Sequence, residues 1–318
     1  MLHRTVLAVL AAAVLPACGP LQRQPALPLS SATTRTLYDS LPQTVVRLET
    51  RREFDEKTFV SSPLGTGFLV ERLGGQVGER AGERAGEHVG ERLGELFLVT
   101  ARHVAESTAE SRVRDSVSSA EFVIPRAAWV FHPSAAQRQQ RDSGPWINVD
   151  AVDVAVARLP WPKDLRVQPL LYCRPGACNG RRSQLASRDP EPLEPVLAVA
   201  YPSYLTFELR QQRPLLRFGA VAMAASEPYL KDVGGRTYVE ARVRALDLRT
   251  FPGDSGGPVF QGSNLGEGLL LVAMVLGGDT ELGFTIAEPS SRVIETLELA
   301  AKTQVPPSGT VRIHRLSM

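Results

Sequence analysis

With 318 residues, 43% hydrophobic and 22% charged, the chain has ample material for a large core, which excludes a disordered protein. The formal net charge is only +2, and no basic face or interleaving of aromatic and basic residues stands out, so nothing argues for a nucleic-acid partner.

The chain opens with Met1-Leu2-His3-Arg4, a short basic stretch, followed by an apolar run from Thr5 to Leu15 that falls short of the ~20 residues needed to span a bilayer. Residues 1–17 therefore read as a targeting segment. Leu15-Pro16-Ala17-Cys18 resembles a bacterial lipobox, in which cleavage precedes an acylated cysteine. Pro16 is unusual in that motif, and ordinary secretory cleavage near Ala17 is the alternative. Acyl chains on Cys18 would anchor an exported protein to a membrane of the bacterial envelope, each buried CH₂ contributing ~0.8 kcal/mol. Residues 18–36, rich in Pro, Ser, Thr and Gln, read as a flexible tether, and the folded part begins near Leu37.

Thr44 to Thr50 has the pattern of a strand, and Gly65-Thr66-Gly67-Phe68-Leu69-Val70 supplies another. A low-complexity insert, residues 74–94, follows, with four Gly-Glu-led units of four residues between Gly78 and Leu93. As a helix it would place Glu at every fourth position and incur a glycine penalty of ~1 kcal/mol per repeat. A solvated loop in a hairpin connection is the simpler reading, with a regulatory or partner-binding role as the alternative. The apolar strand Leu96-Phe97-Leu98-Val99 then runs into Thr100-Ala101-Arg102-His103-Val104. Of five histidines, His3 lies in the targeting segment, His88 in the repeat, His132 before Pro133 in a polar loop, and His314 in the tail. His103, at the end of a strand, is the candidate base. After further apolar residues from Phe122 to Phe131, Ala151 to Leu159 alternates as a half-buried strand. Asp153 falls among its alanines. A carboxylate there is costly unless hydrogen-bonded, and a histidine N–H would serve. Asp150 is the competing carboxylate.

Leu159-Pro160-Trp161-Pro162 closes a first half, and Pro169, Pro175, Pro190 and Pro192 mark a connection. With Cys18 assigned to lipid, Cys173 and Cys178 remain to pair across a Pro-Gly turn. In an oxidising compartment such a disulfide contributes roughly 2 kcal/mol by the loop-entropy argument. Half a zinc site is the alternative, but no second Cys or His pair lies nearby, so no metal and no cofactor are expected. The second half opens with Val196 to Pro202 and leads to Phe251-Pro252-Gly253-Asp254-Ser255-Gly256-Gly257-Pro258-Val259-Phe260. Glycine reaches positive φ at little steric cost and proline presets φ, so this stretch forms an unusual turn. It can aim two backbone N–H groups at one point beside the Ser255 hydroxyl, as acyl transfer requires. Leu269 to Val275 and Gly283 to Ile286 read as strands, and Val293, Ile294, Leu297 and Ala301 give a final helix one apolar face.

The string from Gly253 to Pro258, together with Thr100-Ala101-Arg102-His103 after an apolar strand, the Gly65–Phe68 strand and Asp153-Val154-Ala155-Val156, resembles the chymotrypsin-like (trypsin-like) serine proteases. Thr44–Thr50, Val196–Pro202, Phe218–Val221 and Asp247 are similar to the HtrA branch. The order His103, Asp153, Ser255 is that family's order and differs from those of subtilisins and α/β-hydrolases. The resemblance implies an all-β fold of two six-stranded antiparallel β-barrels with a C-terminal helix over residues 37–302. The first barrel would occupy about 37–165 and the second about 191–302, leaving residues 303–318 as a tail too short for a PDZ domain. It implies a polypeptide substrate, Ser255 as nucleophile, His103 as general base, Asp153 as its orienting carboxylate, and the N–H groups of Gly253 and Ser255 as oxyanion hole. Two features depart from the family. Arg102 replaces a small residue beside the base. Asp254 in trypsins pairs with an N-terminus freed by cleavage, whereas here no Ile-Val-Gly-Gly follows a basic site. By position, Arg249 falls at the base of the specificity pocket and Leu276-Gly277-Gly278 on one wall. A guanidinium in the pocket would favour acidic P1 residues, and one turned to solvent would leave an apolar pocket. The rival reading is an inactive or latent fold of this type serving as a binding or adhesion module in the envelope.

Overall fold

The structure, a computed structural model, describes residues 35, 39, 41–53, 59–73, 94–107, 110–114, 120–133, 147–148, 152–161, 168–176, 178, 180–187, 190–203, 213–223, 229–233, 236–240, 244–263, 265, 268–279, 283–303 and 310–313. The targeting segment, Cys18, the repeat of residues 78–93, His3, His88, Asp150 and His314 lie outside them.

In the first half the alternating and apolar segments form β1 (Val45–Glu53), β2 (Phe59–Leu73) and β3 (Gly94–Ala101), the short helix α1 (Arg102–Glu106), then β4 (Glu110–Arg114), β5 (Ala120–Pro125), β6 (Trp129–Phe131), β7 (Ile147–Asn148), β8 (Val154–Leu159) and β9 (Leu170–Tyr172). The second half supplies β10 (Pro195–Ala200), β11 (Leu215–Met223), β12 (Tyr229–Val233), β13 (Arg236–Glu240), β14 (Arg244–Asp247), β15 (Pro258–Gln261), β16 (Leu271–Asp279) and β17 (Phe284–Pro289), followed by helix α2 (Ser290–Lys302) and β18 (Thr310–Ile313).

The second half closes as expected: β10, β11, β14, β17, β16 and β15 form a six-stranded antiparallel barrel. All six strands contribute to one cluster that includes Val196, Ala198, Val221, Leu246, Val259, Val275 and Ala287. The period-two alternation of strand side chains sends the neighbours Leu197, Val199 and Phe260 to the other side of the sheet, into a larger cluster shared with the first half. Among the described residues the first half forms a second, larger sheet. Its described strands run β18-β5-β4-β1-β2-β3-β8-β6, with β9 paired to β2, in a nine-stranded sheet. Residues past α2 return as β18 and add a strand at β5, while β12, β13 and β7 form a separate three-stranded sheet.

Helix α2 buries Val293, Leu297 and Ala300 and holds Ile294 and Ala301 partly buried, so its apolar stripe lies where the sequence places it. It leaves the barrel and packs on the first sheet. Polar bonds fasten it there. Arg72 of β2 donates from Nε and Nη2 to the two Glu298 oxygens at 3.2 Å each, and Arg174 adds a further bond. His132, which the sequence places in a polar loop, is buried and meets Glu295 of α2 at 2.9 Å. Cys173 and Cys178 are joined by a disulfide beside this cluster, with Cα atoms 5.2 Å apart.

Burial raises the Glu298 carboxyl, but the bonds from Arg174 and Arg72 outweigh it and bring the group down to about 2. Burial, and then the Glu298 charge, push the Tyr172 hydroxyl up to about 12. Glu298→Gln keeps the shape and removes the charge. We expect it to lower stability by about 1 kcal/mol at neutral pH, given partial solvent access, which is a melting-temperature drop of about 3 °C. Because the folded value lies below the ordinary carboxylate value, this contribution is complete above about pH 5 and is lost as pH falls towards 2. Thermal melts of wild type and variant should therefore converge at acid pH.

Candidate active site

His103 is the second residue of α1. Strand β3 ends at Ala101 in an extended conformation, and the chain turns directly into the helix, whose Val104 and Ala105 are buried. That anchoring leaves the His103 side chain 44% exposed. Strand β8 pairs with β3 so that Val154 lies opposite Ala101, which sets Asp153 beside the start of α1. Asp153 Oδ2 meets His103 Nδ1 at 2.7 Å, Oδ1 accepts the His103 backbone N–H at 2.9 Å, and the Asp153 carbonyl accepts the Arg102 N–H at 3.1 Å. With Nδ1–H donating to the carboxylate, Nε2 carries the free lone pair. Asp153 itself is 7% exposed, and its own N–H donates to Glu288 Oε1 of β17 at 2.8 Å, a bond from one half of the molecule to the other. Arg102 turns to Glu106, with Nη2 to Oε1 at 2.8 Å, and lies over the Phe131 ring at 5.1 Å.

Ser255 sits in the turn that feeds β15. Gly253 and Gly256 have φ of +95° and +85°, which side-chain-bearing residues rarely adopt. Space imposes the same choice. A Cβ on Gly256 would lie 2.1 Å from the Thr66 carbonyl oxygen and 2.2 Å from Thr100 Oγ1, and one on Gly253 would lie 2.6 Å from the Ser203 nitrogen. Hydrogen bonds from both halves hold the turn: Thr66 N–H to the Ser255 carbonyl at 2.9 Å, Thr66 Oγ1 to the Gly253 carbonyl at 2.8 Å, and Gly256 N–H to the Val275 carbonyl at 2.7 Å. Gly65 lies between the two parts of the site, where a Cβ would stand 2.9 Å from both the Ser255 carbonyl oxygen and Val104 Cγ1. The N–H groups of Gly253 and Ser255 have no acceptor among the described residues. The Ser255 hydroxyl donates to the Leu276 carbonyl at 2.7 Å, and no bond joins it to His103 among the described residues.

Between these two amides lies Asp254, fully buried. Its Oδ2 accepts the Phe251 N–H at 2.5 Å and meets Arg217 Nη2 of β11 at 2.6 Å. Burial pushes the Asp254 carboxyl above its ordinary value, and the Arg217 guanidinium and Phe251 N–H pull against it. Arg217 also donates to the Arg249 carbonyl at 2.9 Å and lies over the Phe251 ring at 5.3 Å. The Arg249 side chain is on an exposed residue and lies over the same ring at 5.4 Å. Along Leu276-Gly277-Gly278, where the sequence places a pocket wall, a Cβ on Gly277 would meet open space, whereas one on Gly278 would lie within 2.3 Å of Thr250 Oγ1.

The sequence-predicted residues thus fall into two groups, a bonded His103–Asp153 pair and the Ser255 turn, brought together across Gly65 and Thr66. Thr66, Arg217 and Glu288 escaped sequence reasoning. Thr66 could have been found from its place between Gly65 and Gly67. Arg217 and Glu288 sit in strands whose partners come from distant parts of the chain.

No curated protein matches the chain in sequence. Among solved structures it is similar to the active form of Rv3671c protease from M. tuberculosis, at 16% identity and a TM-score of 0.48, over 90% of this chain and 95% of that one. It is also similar to the serine endoprotease from Yersinia pestis, at 14% identity and a TM-score of 0.48, over 86% of this chain and 68% of that one. The trypsin-like peptidase domain family matches residues 65–274, a span that begins at Gly65 and holds His103, Asp153 and Ser255. The chain belongs to the trypsin-like peptidase domain family.

Proposed function

We propose that the protein is a serine endopeptidase that cleaves polypeptides through an acyl-enzyme on Ser255. The observation that carries this reading is the bonded His103–Asp153 pair beside a glycine turn that presents a serine and two amides with no acceptor among the described residues. In the reaction the Ser255 hydroxyl rotates from the Leu276 carbonyl towards His103 Nε2. Oγ attacks the scissile carbonyl carbon, and its proton passes to Nε2. The oxyanion accepts from the Gly253 and Ser255 N–H groups, and Asp153 stabilises the imidazolium. His103 then gives that proton to the leaving amine as the C–N bond breaks. Water, deprotonated by His103, cleaves the resulting ester and restores Ser255.

Asp153→Asn should lower kcat about 10⁴-fold, because an amide no longer holds the tautomer that leaves Nε2 as acceptor. The exposed placement of Arg249 and the approach of Thr250 to Gly278 favour a short, uncharged pocket for small P1 side chains. Peptides with P1 Ala or Val should be cut faster than those with P1 Glu or Lys. We further propose that the enzyme works outside the cytoplasm, tethered through Cys18. The N-terminal sequence pattern and a disulfide at Cys173–Cys178 support this. Digestion of unfolded casein by wild type and Ser255→Ala tests the reading. Cleavage confined to the wild type supports it, and equal cleavage by both overturns it.

A further inference from the structure

The Asp254 side chain is enclosed in the turn that carries the nucleophile, and the turn is built around it. Its N–H donates to the Phe251 carbonyl at 3.0 Å, its carbonyl accepts the Gly257 N–H at 2.9 Å, and its carboxylate bonds back to the Phe251 N–H. The two amides that have no acceptor among the described residues, Gly253 and Ser255, flank it on either side. Whatever fixes the Asp254 carboxylate therefore fixes the direction of both amides. A buried carboxylate keeps its charge where a cation and hydrogen-bond donors compensate it. The cation in contact with Asp254 among the described residues is Arg217, on the second-half strand β11, with its side chain 12% exposed. Arg217 is itself held in place by the Arg249 carbonyl and the Phe251 ring, both in the segment leading into the turn.

We propose that Arg217 is a positioning residue for the reaction: it supplies the counter-charge that sets Asp254, and through it the Gly253 and Ser255 amides, so the site forms without a cleavage that frees an N-terminal ammonium. This rests on the serine-peptidase reading. The pair is internal to the barrel, Arg217 lying opposite Ala198 of β10, so it is part of the fold as the chain completes it. The role is electrostatic, and it makes a prediction that packing alone does not. Removing the charge from Arg217 should disable the turn. Removing it from both partners should restore it, because Asn at 254 can still accept the Phe251 N–H without requiring a cation.

The experiment measures the rate of Ser255 labelling by a fluorophosphonate in the full chain, with thermal melts to establish folding. Arg217→Gln should label at least 100-fold more slowly than wild type. Arg217→Lys, which keeps the charge, should remain within about ten-fold. The double variant Arg217→Gln/Asp254→Asn should recover to within about ten-fold. If Arg217→Gln does not fold, the Lys and double variants decide the question by the same thresholds. Wild-type rates in Arg217→Gln, or a folded double variant as slow as the single, would overturn the inference alone. A folded wild type that does not label removes the serine-peptidase reading and this inference with it.

Discussion

Ser255→Ala and His103→Ala are each expected to lower kcat for peptide hydrolysis by about 10⁵–10⁶-fold, and the double variant to fall little further. On the proposed mechanism the losses do not add, because Ser255 and His103 would act as one unit. Without the hydroxyl no acyl-enzyme forms, and without the imidazole the hydroxyl keeps its proton and remains a poor nucleophile. In the structure the unit is held ready but open: the imidazole is fixed by Asp153 at 2.7 Å, while the Ser255 hydroxyl rests on the Leu276 carbonyl. On the proposed reading the substrate backbone lies along Leu276, so substrate entry would displace the resting bond. Residual activity in both variants should come from the Gly253 and Ser255 amides, which neither substitution touches. The comparison is made with kcat values at saturating peptide.

Gly256→Ala is expected to be the most damaging glycine-to-alanine change among the described residues. Gly256 has φ of +85°, and its added Cβ would lie 2.1 Å from the Thr66 carbonyl oxygen, 2.2 Å from Thr100 Oγ1 and 3.0 Å from the Ala101 nitrogen. These atoms belong to the backbone and to a buried threonine whose hydroxyl donates to the Thr66 carbonyl at 2.7 Å. Relief therefore means pulling β15 away from β2 and β3, or turning the peptide that follows Ser255. Left-handed strain and steric overlap together should cost about 4 kcal/mol or more. A drop of roughly 10 °C in melting temperature and loss of soluble protein would report it. At Gly277, where a Cβ would meet open space, Ala should be tolerated by the fold.

The contrast between these two glycines shows how much the sequence could say. The local chemistry was legible because it is local. Gly253 to Pro258 encodes its own turn, the apolar run from Leu96 encodes β3 and the abrupt start of α1, and the alternation around Asp153 encodes β8. The apolar stripe of α2 followed in the same way from its spacing. The second barrel was legible from its strands. Less of the first half's strand pairing is legible, because the strand after α2 and the short β9 pair with distant strands on few residues, and such pairing leaves no periodic trace. His132 was read as a loop residue because its burial depends on α2, more than a hundred and fifty positions later in the chain. Asp254 raised the question of a counter-charge, but an arginine in Leu215-Leu216-Arg217-Phe218 looks like any outward strand residue until the barrel closes. Arg102, which replaces a small residue beside the base, is drawn to Glu106 and Phe131.

Covalent labelling reads an activated Ser255 nucleophile directly. The full chain would be treated with a fluorophosphonate and the adduct located by intact and peptide mass spectrometry, in wild type and in His103→Ala. One adduct, on Ser255, is expected, and it is lost in the His103 variant. A folded wild type that takes no label, or that takes it at another serine, rules out Ser255 as the nucleophile.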